Sequence, residues 1–134
     1  MKIKEFFNTI YLGDRWLNGI IIDSASSKLK LQVNLISRIR SESGNWNYYN
    51  DENIENGLIV FTDIESFEIS PPGIIPNDEI CNYEVKEIRD NISEVVFYIS
   101  SYDKSNNYQE VKLKVVAGGI HLEDPSQPNK EIKN

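Results

Sequence analysis

The side chains that could do chemistry are few and scattered. His121 is the only histidine and Cys81 the only cysteine among 134 residues. Nucleophilic catalysis of the Cys–His or Ser–His–Asp kind would therefore run through His121, with Glu123 or Asp124 orienting the ring and Cys81 as the nucleophile. Cys81 opens the alternating run CNYEVKEI and is expected to point into the core as a small apolar residue. His121 follows Gly118 and Gly119, where a surface or capping role is expected. Asp14 and Arg15 lie together in YLGDRW, but the same residues suit a corner after a helix. Asp63 and Glu65, two apart in a strand, share a face as a glycosidase pair would, yet nothing around them suggests a sugar platform.

Metal and phosphate chemistry find less support. A single cysteine excludes an internal disulfide and a multi-cysteine zinc site. DENIENG resembles the start of a calcium loop through Asp51, Asn53 and Glu55. However, its glycine comes one position late and Thr62 stands where a bidentate glutamate should close the site. No phosphate-binding or dinucleotide-binding glycine pattern occurs. The expectation is a protein without a cofactor or metal, and not an enzyme.

Charge and aromatic placement are more informative. The net charge is −7. Residues 42–94 carry 13 acids against Lys86 and Arg89, a net of −11, while residues 1–41 carry seven bases against three acids, a net of +4. So strong an acidic segment repels a phosphate backbone, which argues against nucleic acid, and attracts a basic protein. Within it, GNWNYYNDE sets Trp46, Tyr48 and Tyr49 among polar residues, where aromatics serve as rigid anchors. Asp51, Glu52 and Glu55 follow and would steer a basic partner. These six residues form the candidate partner-binding site.

The elements that must position them follow from periodicity. Ile3, Phe6, Phe7 and Ile10 fall at i, i+3, i+4 and i+7, so an amphipathic N-terminal helix is expected, finished by Tyr11 and Leu12 and capped by Gly13. WLNGIIID and KLKLQVNLI read as a hairpin, and SRIR extends it with Arg38 and Arg40 on one face and Ile39 on the other. SESGNWNYYNDENIENG is expected to be irregular, with NDENIEN as one helical turn. LIVFTDIESFEIS reads as a long strand interrupted near Thr62 and Asp63. PPGIIPND must be a loop, since proline cannot donate to a ladder. CNYEVKEI, SEVVFYIS and YQEVKLKVV alternate as strands, and Ala117-Gly118-Gly119 allows a bend before IHLE. The sum is a mainly β protein: an antiparallel sheet of seven or eight strands, folded as a sandwich or a partly open barrel, with one N-terminal helix. One domain spans residues 1–122, and residues 123–134 form a polar, flexible tail.

At YLGDR, ISRIR, GNWNYYNDENIENG and PPGIIPND the chain resembles a family of small bacterial cytoplasmic proteins with no assigned activity, over about residues 6 to 88. In type it is also similar to the immunity proteins of bacterial polymorphic toxin systems. Those resemblances imply no catalytic residues. They imply a non-enzymatic inhibitor that binds a basic toxin. A small-molecule site under the PPGIIP loop, or an enzyme using Asp14, Arg15 or His121, are the alternatives. The lone cysteine, with no secretory or membrane-spanning segment in the sequence, leads to the expectation of a cytoplasmic location away from membranes.

Overall fold

The computed structural model describes residues 2–40 and 47–133, with backbone alone at 40 and 47–52. A short helix and ten strands occur among them. The helix, α1 (Ile3–Phe7), is five residues long and buries Ile3, Phe6 and Phe7. It is shorter than the heptad spacing suggests. The Thr9 hydroxyl donates to the Phe6 carbonyl at 2.7 Å, Asn8 is the C-cap, and the chain then turns extended. Ile10 is buried as expected, but in strand β1 (Ile10–Tyr11). Gly13 accordingly caps no helix.

Strands β2 (Leu17–Asp23) and β3 (Lys28–Val33) form the first hairpin. Asn34 then breaks the long alternating run, and β4 (Leu35–Arg40) continues at an angle in a different sheet. The return strand is split in the same way into β5 (Asn47–Glu55) and β6 (Leu58–Ser70), with Asn56 in the left-handed region at φ 53°. The two breaks face each other: Asn56 N–H donates to the Asn34 carbonyl at 2.9 Å, and Val33 N–H to the Gly57 carbonyl at 2.9 Å. Gly57 is required at this fold-over, because a Cβ would lie 2.8 Å from Ile36 Cδ1.

A meander completes the fold: β7 (Ile80–Arg89), β8 (Ile92–Tyr102) and β9 (Tyr108–Glu123), then a short return, β10 (Glu131–Ile132). The large sheet runs β2-β3-β6-β9-β8-β7, with β10 paired to β9, and the small sheet runs β1-β4-β5; all these strand pairs are antiparallel. The large sheet is not closed. Its edge strands touch at the bridge between Trp16 and Glu79, where Leu17 N–H donates to Asp78 and Ile80 N–H to Arg15, each at 2.9 Å. The expectation of a mainly β, sandwich-like protein holds at that level. The described residues contain ten strands rather than seven or eight.

The core lies on the inner face of the large sheet. Leu29, Leu31 and Val33 of β3, Val95, Phe97 and Ile99 of β8, and Val111, Leu113 and Val115 of β9 are fully buried there. Phe7 lies against Phe61, Tyr83 and Phe97, with its ring 4.9 Å from that of Tyr83. The interruption in LIVFTDIESFEIS is real: Asp63 has φ 51°, and the register slips between Ile64 and Ser66. Gly118 and Gly119 do not end a strand, since β9 runs through them. The C-terminal segment expected to be a tail returns as β10, pairing Glu131 with Glu123 and Ile132 with Leu122.

Candidate functional site

The candidate partner-binding residues fall on one strand rather than on a loop. Residues 47–55 are β5, not the irregular segment and helical turn expected of NYYNDENIEN. Long-range pairing with β4 overrides the local helix-compatible pattern. The register sets Tyr48 opposite Ile39 and Tyr49 opposite Arg38, then Ile54 opposite Ile36. Between those pairs only Ser37 on β4 faces residues 50–53 on β5, a register shift that takes in Asp51 and Glu52. Ile54 is buried against the core and Glu55 is exposed. Trp46 lies outside the described residues, as do the side chains of Tyr48, Tyr49, Asp51 and Glu52. In the order β1-β4-β5 the strand is the edge of its sheet.

YLGDRW is a corner. Tyr11 ends β1, and Gly13 and Asp14 make the turn, with Asp14 in the left-handed region at φ 55°. A Cβ at Gly13 would lie 2.2 Å from the Tyr11 hydroxyl, so only glycine lets the ring fold back. The Arg15 guanidinium sits 5.7 Å from the centre of that ring and donates to Ser37 Oγ at 2.9 Å. Arg15 thus ties the corner to β4 at the residue opposite the register shift. Arg38, next to Ser37, is buried, as is Ile39, so both faces of β4 are covered here, and the side chain of Arg40 lies outside the described residues.

The Cys81–His121 pairing is not assembled. Cys81 is exposed, because a register shift between Ile80 and Asn82 leaves Ile80, rather than the cysteine, on the core side. Its Sγ lies 3.3 Å from Ser100 Oγ. Ser100 pairs with Glu110, eleven residues before His121 on β9, which is roughly 36 Å along a strand. Nor do Asp63 and Glu65 act as a pair: the left-handed Asp63 breaks the alternation, and Glu65 is bound by Arg89.

His121 is the larger surprise. It is 3% exposed rather than superficial. Lys30, Val60 and His121 are register neighbours across β3, β6 and β9. Glu123 accepts from Lys30 Nζ at 3.0 Å and lies 3.3 Å from His121 Nε2. Burial pushes the Glu123 carboxyl up, but hydrogen bonds from Lys30 and His121, with the charges of both, outweigh it and hold the group below the usual glutamate value. A cleft of about 320 Å³ opens beside the ring, lined in part by Lys28, Thr62, Gly119, Glu131 and Lys133. Among the described residues no group of three or more His, Cys, Asp or Glu side chains could hold a metal ion. No described helix is long and apolar enough to cross a membrane.

With this geometry in view, the chain matches a protein-family model over residues 1–134. The chain belongs to DUF6258, a family of unknown function. Nothing among the curated proteins or the solved structures matches it. The expectation of an uncharacterised family is met, and membership of DUF6258 brings no residue roles to this chain.

Sequence reasoning missed the His121 cleft because two of its walls come from far along the chain. The available signal was the unbroken apolar and polar mixture of IHLE. His121 and Leu122 are adjacent and both buried, which happens only where both faces of a strand are covered.

Proposed function

We propose that this DUF6258 chain is a protein-binding module that presents β5 to a basic partner, in the manner of an immunity protein blocking a toxin's cleft. The observation that carries the reading is that the aromatic and acidic run 47–55 forms the edge strand of the small sheet. An edge strand offers unpaired backbone groups to an incoming strand, and its side chains select the partner. The register shift interrupts the regular ladder along this edge, a feature that edge strands use to limit indiscriminate pairing. The net of −11 over residues 42–94 supplies the steering charge for a basic protein. Trp46, Tyr48 and Tyr49 are the anchors in this reading, and Asp51, Glu52 and Glu55 the steering acids.

The test is capture from the native host with the tagged protein at low and at moderate salt. A single basic protein retained stoichiometrically and weakened by salt is expected. Trp46→Ala with Tyr49→Ala should lower affinity for it at least about thirtyfold, the loss expected from a single buried aromatic anchor contributing about 2 kcal/mol. Unchanged affinity in that double variant, with its circular dichroism intact, would remove β5 from the interface.

A further inference from the structure

We propose that the cleft beside His121 is a binding site for a small oxyanion, held by Lys28, Lys133 and the Thr62 hydroxyl against the imidazole. This site is separate from β5 and owes nothing to the protein-binding reading.

Three features converge on it. First, the cleft has a built floor. A polar ring buried to 3% in a β-sheet is expensive unless it is partnered, and an apolar residue would cost less beside fully buried Val60. His121 is partnered on one side by Glu123, which orients the ring and leaves it lining the cleft.

Second, the charge balance is positive within a protein of net −7. The Glu123 carboxylate is engaged by Lys30 at 3.0 Å, and Glu131 by Lys133 at 3.5 Å. Lys28 forms no ion pair with a carboxylate among the described residues. The lining thus holds two lysines against the one carboxylate of Glu131, which pairs with Lys133, while Lys28 closes no ion pair even with its cross-strand neighbour Asp23.

Third, the backbone is shaped to make room. A Cβ at Gly119 would lie 2.2 Å from Thr62 Oγ1, so glycine is what lets the hydroxyl sit over β9 at the cleft. The adjoining Asp63 adopts a left-handed φ of 51°, and a bulge in β6 follows between Ile64 and Ser66. Bulges of this kind re-aim side chains beside binding sites. The cleft volume of about 320 Å³ suits a small organic or inorganic anion. An oxyanion between two ammonium groups and a hydroxyl gains charge-assisted hydrogen bonds, the strongest available to such a lining.

The sole histidine gives a direct reporter, because its imidazole ring protons produce unique resonances in the proton spectrum. The intact protein is titrated at constant pH with sodium phosphate, with sodium succinate, and with sodium chloride at matched ionic strength. A saturable movement of the His121 resonances with phosphate or succinate, beyond that seen with chloride, is the expected result. Saturation by phosphate alone assigns a phosphoryl ligand, by succinate alone a carboxylate ligand, and by both a general oxyanion site. Lys28→Ala should weaken the response about tenfold while the remaining spectrum is unchanged, and Lys133→Ala should weaken it less, its side chain being more exposed. Movement no larger than with chloride, or a Lys28→Ala response equal to the wild type, would overturn the proposal.

Discussion

The two halves of β9 obey different rules although they form one continuous strand. From Val111 to Ala117, buried residues alternate strictly with Lys112, Lys114 and Val116. This half is flanked by β6 and β8 and serves the core on one face only. From Gly118 to Glu123 the alternation fails, and His121 and Leu122 are buried side by side. The neighbouring strand does the same, with Ile59, Val60 and Phe61 all fully buried. There β10 pairs with Leu122 and Glu123 in place of β8, and both faces are covered at His121 and Leu122. The first half is built to hold the sheet together. The second uses two glycines and a buried polar cluster to make a cleft.

That contrast can be broken at its strong end first. Phe97 is fully buried in the ring cluster with Phe7, Phe61 and Tyr83 that sits on the first half of β9. Phe97→Ala should cost about 3–5 kcal/mol, read as a lower midpoint in urea denaturation. A loss below about 1 kcal/mol would mean that the core does not centre there.

The second half should respond more moderately and more specifically. Gly119→Ala drives a methyl into Thr62 Oγ1 and should cost about 1–3 kcal/mol. Thr62→Ala in the same chain should recover much of that loss, because the obstructing atom is then gone. Gly118→Ala is the control, since its Cβ would meet Asp63 Cβ at 3.3 Å and Ile92 Cδ1 at 3.4 Å, contacts that small shifts relieve. Equal losses at both glycines would deny Thr62 its special position.

The smallest effect concerns protons. Glu123 is held below the ordinary glutamate value in the folded protein, so on acidification the unfolded chain takes up its proton first. The stability it contributes is complete above the ordinary value, about 4.3, and is lost as the pH falls through the folded value. Glu123→Gln should flatten that part of the stability–pH curve while leaving its shape above about pH 6 unchanged. A curve parallel to the wild type throughout would detach Glu123 from Lys30 and His121.

How much was legible in the sequence depended on how local the cause was. The alternating runs KLKLQV, SEVVFYIS and YQEVKLKVV became strands as read, because period two needs only near neighbours to express it. The break at Thr62 and Asp63 and the prolyl loop after Ser70 were visible for the same reason. NDENIEN was misread as a helical turn, since its caps and acids suit one locally, and only pairing with β4 makes it extended. Cys81 is turned outward by a bulge between Ile80 and Asn82, while Tyr83 and Val85 beyond it face the core as their alternation suggests.

By itself the sequence determined a mainly antiparallel β chain with one acidic stretch, because hydrophobic period, turn chemistry and charge are all written in adjacent residues. The tertiary structure alone decided that β5 is an edge and that His121 is buried beside Glu123 and Lys30. The second depends on Lys30 meeting Glu123 across 93 positions of chain. No local pattern encodes contacts at that separation; they exist only once the sheet has assembled.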